Sequence, residues 1–356
     1  MPKTVCVIKG DDTSPEFVLP TVDILEGMGL DIEFTWPLTG EEAIRKYGEG
    51  AGFPDEAKDA VDAADCTLFG SASRNTTGAL AYLRWGKLTY ANLRPVKWMD
   101  GIRSPLKNPE GIDFVIVREN LEGLYPGREG DIAQLAPLEI RDLLTGRVLD
   151  TTKEGKYAIR IITEENTRNV AGASCELAMR RLSKGGKGKV TVACKYNMLV
   201  QSDGLFRKIV KETVARYPEL SYDQVIIDNF AQQQIINPHQ YDVVVMPNEH
   251  GDILADGASG LVGGLGLAPS ACIGDDYAYF EPVHGTAPDI MGRNIVNPTA
   301  MLLSAAMMLE YLGFEDRSER LENAICAVYA EGKALTPDMG GSATTTRFCD
   351  AVRERL

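Results

Sequence analysis

The amino-acid sequence predicts an α/β protein whose core is a largely parallel β-sheet. Three observations carry this. Short apolar or β-branched runs recur, among them TVCVI (4–8), CTLF (66–69), FVIV (114–117), VTVA (190–193), QVII (224–227) and VVV (243–245). Runs of that length and composition read as buried strands. Helical stretches lie between them, and strand–helix–strand alternation is the pattern of a parallel sheet. Several strands also end in small or charged residues, as at Gly70-Ser71 and Asp228-Asn229, and the strand ends of such sheets are where ligands collect.

Composition narrows the function. A length of 356 residues favours two domains over one, and an apolar fraction of 44% supplies a substantial core. The net charge of -14 argues against nucleic acid or an anionic membrane as partner. An acidic small substrate then requires a local cluster of cations. No apolar run has the length of a membrane span, and the opening MPKTVCVIKGDD lacks the apolar region of a signal peptide. The seven cysteines are dispersed, with no CxxC. That set reads as reduced thiols in a cytoplasmic protein, not as a disulfide frame or zinc site.

Taken in order, the first strand (4–8) ends in Lys9-Gly10-Asp11-Asp12, and a helix follows from Pro15 with Ser14 as N-cap. The turn is not a GxGxxG, so the usual dinucleotide fingerprint is missing. Strands follow at 31–36 and 66–69. Residues 74–97 carry Arg84 and Arg94, and Pro95 stops any helix there. The strand 114–117 delivers Arg118. These three arginines either converge or each make a surface ion pair of little worth, and a guanidinium is the group suited to grip a carboxylate as a fork. Residues 148–152 and 157–162 predict a hairpin arm, with a long helix over 163–182 capped by Thr163. Lys195 follows a strand, as a snorkelling edge residue or as a working amine. Asp228 likewise ends a strand. The segment 299–312 is apolar nearly all round and predicts a buried helix, and a last long helix over 319–331 has Ser318 as its N-cap.

The stretch around which the chain is organised is YDVVVMPNEHGDILAD (241–256). A strand is broken by Pro247-Asn248, and a helix opens at Gly251. Asp252 and Asp256 then share one face. Like charges so placed repel. A divalent cation of the Mg²⁺ or Mn²⁺ kind would relieve this; a solvated acidic face is the alternative that spacing alone leaves open.

NLRP (92–95), VRENLEGLYPG (117–127), KYNML (195–199), DN (228–229), PNxxGDILAD (247–256) and EPVHGTAPDI…NPTA (281–300) occur in this order. Together they resemble the metal-dependent β-decarboxylating dehydrogenases acting on isocitrate, homoisocitrate and 3-isopropylmalate. The resemblance covers nearly the whole chain. It implies a two-domain α/β fold of the isopropylmalate dehydrogenase type, with parallel and mixed sheets and no Rossmann motif. The implied large, cofactor-binding domain comprises 1–99 plus 251–356; the small domain, 100–250, carries the dimer interface and the arm. The implied assembly is a homodimer with shared active sites, in which Lys195 and Asp228 reach the neighbouring subunit's site.

The same resemblance implies roles. Asp252, Asp256 and the partner subunit's Asp228 would hold Mg²⁺ or Mn²⁺. Lys195 would take the substrate's hydroxyl proton, through Asp228 or water, and Tyr125 would return a proton to C3. Arg84, Arg94, Arg118 and Asn197 would bind a di- or tricarboxylate substrate. His284, Gly285, Ala287, Asp289, Ile290 and Asn297 match the cofactor-binding positions. A carboxylate at Asp289 accepts from a free ribose 2′-hydroxyl and repels a 2′-phosphate, so NAD is expected over NADP. The implied reaction is oxidative decarboxylation of a 3-substituted malate.

The chain departs from the family in three places. It has Gly10-Asp11-Asp12-Thr13-Ser14-Pro15-Glu16 where GDGIGPE is usual, and Glu249-His250 where an apolar-aromatic pair is usual. The helix before Arg84 (Thr77, Gly78, Leu80, Ala81) matches no standard substrate pattern, though GALAYLR is nearest the homoisocitrate type, with Arg74 as a replacement cation. The expected substrate is homoisocitrate- or isocitrate-like, with 3-isopropylmalate, tartrate, D-malate or an unusual 3-substituted malate as alternatives. A non-catalytic regulatory subunit is the alternative of another class, against which Tyr125, Lys195, Asp228, Asp252 and Asp256 all speak.

Overall fold

Twelve strands are present in the computed structural model, which describes residues 2–356. In chain order they are β1 (Lys3–Ile8), β2 (Ile32–Thr35), β3 (Cys66–Phe69), β4 (Ala91–Lys97), β5 (Asp113–Glu119), β6 (Glu129–Asp131), β7 (Lys156–Ala158), β8 (Lys189–Cys194), β9 (Ser221–Ile226), β10 (Val243–Met246), β11 (Pro269–Ile273) and β12 (Ala278–Pro282). Ten of them form one sheet in the order β2-β1-β3-β12-β11-β4-β5-β10-β8-β9. The flanks pair in parallel, but β12-β11, β11-β4 and β4-β5 are antiparallel. The sheet is therefore mixed, as the family resemblance implied. Its strands from β2 to β4 come from residues before 98 and after 268, and those from β5 to β9 come from 113–246.

Both faces of the sheet are covered, which is why its strands read as continuous apolar runs. Alternation sorts their side chains. Val115, Val117, Val243 and Val245 pack with Val170, Cys175 and Ala178 of the helix Glu164–Ser183. Phe114, Ile116, Val96 and Val244 pack on the other face with Ala255 and Ala258 of the helix Asn248–Ser259. Arg94 has the parity of Val96, Arg118 that of Ile116, and Lys195 that of Ala193. All three therefore emerge on the face that carries the Asn248–Ser259 helix.

Several local expectations are corrected. The helix bearing the aspartates begins at Asn248, because Gly251 already donates to the Pro247 carbonyl. Gly251 itself is required by packing, since a Cβ there would lie 2.7 Å from Arg118 Cβ. The arm is not a 148–152/157–162 hairpin; β6 pairs with β7, and the intervening residues form a separate bridge, Arg141 to Val148. Ser14 is the first residue of its helix, not its cap. Ser318 lies inside the helix Glu315–Glu331, buried and donating to the Ala306 carbonyl at 2.7 Å. Asp228 stands in the first turn of the helix Ile227–Ile236, just past β9. The Thr163 cap is found, accepting from the Asn166 N–H at 3.3 Å. The helix Thr299–Tyr311 is buried along most of its length, as its sequence predicts. All seven cysteines are free, six of them buried. No helix among the described residues is long and apolar enough to cross a membrane.

Candidate active site

The three arginines form one positive cluster. Arg118, nearly fully buried, leaves the end of β5 and gives its Nε and Nη2 to Asn248 Oδ1 at 3.0 and 2.7 Å. Its Nη1 is paired with Asp252. Arg94 reaches the same helix from β4, with Nη2 3.0 Å from Asp252 Oδ1 and Nη1 3.1 Å from Asp256 Oδ1. Burial and the Arg94 charge push the Arg118 guanidinium down to about 10, with Arg84 adding to the effect. Arg84 sits in a π-helical turn, Tyr82–Gly86, and its Nε is buried without a partner. This cluster concentrates positive charge locally in a chain of net charge -14.

The carboxylates answer the cluster. Burial raises the Asp252 carboxyl, but Arg118 and Arg94 outweigh it and hold it below the usual range. Asp256 is raised by burial, more than Arg94 offsets. Tyr125 lies on the same patch, its ring 5.3 Å from the Arg118 guanidinium carbon. Burial and the Asp252 charge push its phenol up, so it stays protonated at neutral pH. Sequence reasoning passed over Glu281. It lies one residue before the end of β12 in the field of Arg84, Arg94 and Arg118, with burial raising its carboxyl against all three.

Asp252 and Asp256 stand one turn apart with hard oxygen donors, a set that suits Mg²⁺ or Mn²⁺. Among the described residues no group of three or more His, Cys, Asp or Glu side chains gathers to hold a metal. Asp228 does not join the two aspartates of its own chain in such a group. It pairs instead with Lys195 Nζ and is mostly exposed. Asn197 is exposed on the loop after β8.

The loop 284–290 forms a separate region. His284 Nε2 is buried with no hydrogen-bond partner, and burial lowers the imidazole's pKa. That orphaned polar atom is the feature that fits an adenosine-like ligand. Ala287 takes a left-handed backbone, and a short 3₁₀ turn, Pro288–Ile290, presents Asp289 to solvent. Asn297 is buried; its amide donates to Asp338 at 2.9 Å and Tyr329 at 3.3 Å, and its carbonyl accepts from Thr299 N–H at 3.0 Å. The divergent first turn clamps this loop. Thr13 Oγ1 donates to the Thr286 carbonyl at 2.7 Å, and Glu16 accepts from Gly292 and Asn294 N–H at 2.6 and 2.7 Å. Asp11 accepts from Ser73 N, Thr76 N and Thr76 Oγ1 at 2.8, 3.0 and 2.7 Å. Gly10 has φ +76°, and a Cβ there would lie 2.5 Å from the Ser71 carbonyl oxygen.

A non-Rossmann α/β sheet, with an arginine cluster facing two aspartates on a strand-end helix, defines a class of dehydrogenases acting on hydroxy acids. The chain belongs to the isocitrate/isopropylmalate dehydrogenase family, whose profile matches residues 4–352. It is 40% identical over 352 residues to the 3-isopropylmalate/3-methylmalate dehydrogenase of Methanocaldococcus jannaschii, covering 99% of this chain and 98% of the relative. It is also 40% identical over 358 residues to the isocitrate/homoisocitrate dehydrogenase of Thermus thermophilus, covering 99% and 98%. The crystal structure of isocitrate dehydrogenase from Methylococcus capsulatus superposes with a TM-score of 0.85 at 32% identity, covering 99% of each chain.

Proposed function

We propose that the protein is an NAD-dependent, metal-requiring enzyme that oxidatively decarboxylates a 3-substituted malate as a homodimer. Oxidative decarboxylation of a hydroxy acid is the chemistry of its family. The observation that carries the finer reading is the facing of Arg94 and Arg118 against Asp252 and Asp256, with Tyr125 beside them.

Asp252 and Asp256, with Asp228 of the partner subunit, would hold Mg²⁺ or Mn²⁺. A cation there supplies Lewis-acid stabilisation of negative charge developing on the substrate's oxygens. Bound NAD supplies the hydride acceptor. Arg84, Arg94 and Arg118 would orient the substrate's carboxylates by fork hydrogen bonds, and Asn197 would line the same site. The partner subunit's Lys195, which reaches this site together with the partner's Asp228, would take the C2 hydroxyl proton, through that aspartate or a water. Tyr125, kept protonated, returns a proton to C3 after CO₂ is lost. His284, Gly285, Ala287, Ile290 and Asn297 would frame the adenosine. Asp289 is exposed with no protein partner among the described residues, and would accept from the ribose 2′-hydroxyl, which favours NAD.

Two domains, 1–99 plus 251–356 and 100–250, would meet at the β4-β5 seam, with the site between them. The dimer reading rests on Asp228 not joining Asp252 and Asp256 of its own chain in one group, and on the exposed Ile235, Ile236 and Ile253 of the helices near them. The substrate is homoisocitrate- or isocitrate-like in the first reading. 3-Isopropylmalate is the second, favoured by the small apolar Gly78, Leu80 and Ala81 and by the Methanocaldococcus jannaschii relative.

The test is NADH formation with Mg²⁺ or Mn²⁺ on isocitrate, homoisocitrate, 3-isopropylmalate, D-malate and tartrate, each repeated with NADP. One strong NAD-dependent, metal-dependent response is expected. Absence of turnover together with absence of NAD and Mn²⁺ binding overturns the reading.

A further inference from the structure

A buried ion pair lies behind Lys195 that the reaction itself does not require. Asp203, in the first turn of the helix Ser202–Val214, is fully buried. One carboxylate oxygen accepts from the Lys195 backbone N–H at 2.6 Å, and the other accepts from Arg160 Nη1 at 2.5 Å. The Lys195 carbonyl is held in turn by the N–H groups of Met198 and Leu199 at 3.0 and 2.9 Å. Leu199 closes the loop by accepting from Asp203 N–H at 2.9 Å. Both sides of the Lys195 peptide backbone are therefore fixed, while its Nζ extends to Asp228.

The arrangement is costly unless it serves a purpose. A buried carboxylate must be compensated, and Arg160 does this from the base of the arm, two residues past β7. Arg160 Nη2 is itself buried with no partner among the described residues. A lysine carries four rotatable bonds, so the position of its Cα decides where the amine can reach. Beyond Lys195, Tyr196 rests on the core with the Arg207 guanidinium carbon 4.4 Å from its ring, while Asn197 to Val200 are exposed.

Resting on the assignment of Lys195 as the proton acceptor, we infer that Asp203 is a positioning residue for that lysine. Arg160 holds Asp203 in place and so ties the seating of the arm to the placing of the amine. A displacement of about 1 Å at a reacting group costs about a hundredfold in rate, which sets the size of the expected effect.

The experiment compares Asp203→Asn, Arg160→Met and Lys195→Met as full-length protein, with the panel substrate that turns over fastest. For folded Asp203→Asn, kcat falls about a hundredfold, the KM for NAD stays within about twofold, and the isotope effect of C2 deuteration on kcat rises. Reductive methylation of Lys195, read by mass spectrometry, becomes several-fold faster. A merely structural role would lower the folded fraction and leave kcat per folded enzyme, the isotope effect and the methylation rate at wild-type values, which overturns the proposal. Should Asp203→Asn fail to fold, Arg160→Met decides by the same readouts. Wild-type turnover in Lys195→Met overturns the assignment of the lysine itself. An inactive Lys195→Met beside active, wild-type-like Asp203→Asn and Arg160→Met overturns the positioning role alone.

Discussion

Arg94 Nη2 lies 3.0 Å from Asp252 Oδ1. The contact joins a strand from one half of the sheet to the helix that follows the other half, and the same guanidinium reaches Asp256. Helix geometry sets the two aspartates one turn apart, and the guanidinium between them offsets their mutual repulsion.

Removing one of them separates charge balance from metal binding. Asp256→Asn keeps the shape and abolishes one anionic oxygen donor. Loss of an outer partner of a metal ligand costs 10–100-fold in affinity, so loss of a ligand should cost at least about a hundredfold. Mn²⁺ titration by calorimetry checks this. Unchanged Mn²⁺ affinity would remove Asp256 from the metal site.

Tyr125→Phe tests the proton donor. The ring is 40% exposed, so deleting its hydroxyl should change stability by less than about 0.5 kcal/mol. General acid catalysis is worth about 10²–10⁴-fold, so kcat should fall at least about a hundredfold with Tm unmoved. A variant that keeps wild-type kcat places the donor elsewhere.

The cofactor preference turns on Asp289. Asp289→Ser removes the charge that opposes a 2′-phosphate, and the ratio of kcat/KM for NADP over NAD should rise at least about tenfold, ~1.4 kcal/mol. Steady-state kinetics with both nucleotides decide it, and an unmoved ratio would assign selectivity to another residue.

Glu119 gives a pH dependence. It is buried at the end of β5, accepting from Leu121 N–H at 2.7 Å and from Glu122 N–H. Burial pushes its carboxyl from 4.5 up to about 7. Between these values the folded state keeps a proton that the unfolded chain has lost, so stability falls as pH rises through that window. The shift corresponds to roughly 3 kcal/mol. Glu119→Gln should lose this part of the fall, seen as a smaller difference between urea unfolding at pH 5 and pH 8. Parallel pH profiles for the two proteins would count against it.

What the sequence disclosed, and what it hid, follow from packing. The β-branched cores of β5, β8 and β10 are buried on both faces, and such runs announce themselves. β4 stayed hidden because Arg94 and Pro95 interrupt it. The structure tolerates Pro95 because β11 pairs only with Ala91, Asn92 and Leu93, so no strand on that side asks for its N–H. β11 and β12 lie beyond a glycine-rich stretch and begin or end in proline. Asp252 and Asp256 could be placed on one face by spacing, whereas their grip by Arg94 depends on residues 158 and 162 positions distant. Asp203 and Arg160 left no trace in the sequence, because only the fold brings the base of the arm beneath the end of β8. Asp11 and Glu16 were visible only as members of an altered motif, and their loop-clamping contacts emerge from long-range geometry.

The β4-β5 ladder pairs seven residues on each strand, from Ala91 with Glu119 to Lys97 with Asp113. Among the described residues it is the sole strand junction between the two halves of the sheet. The two halves are therefore joined through a continuous hydrogen-bonded ribbon and not only through packed side chains. Arg94 and Arg118 stand on the two adjacent strands of that ribbon, so one continuous hydrogen-bonded frame sets the spacing of the positive charges that converge on Asp252.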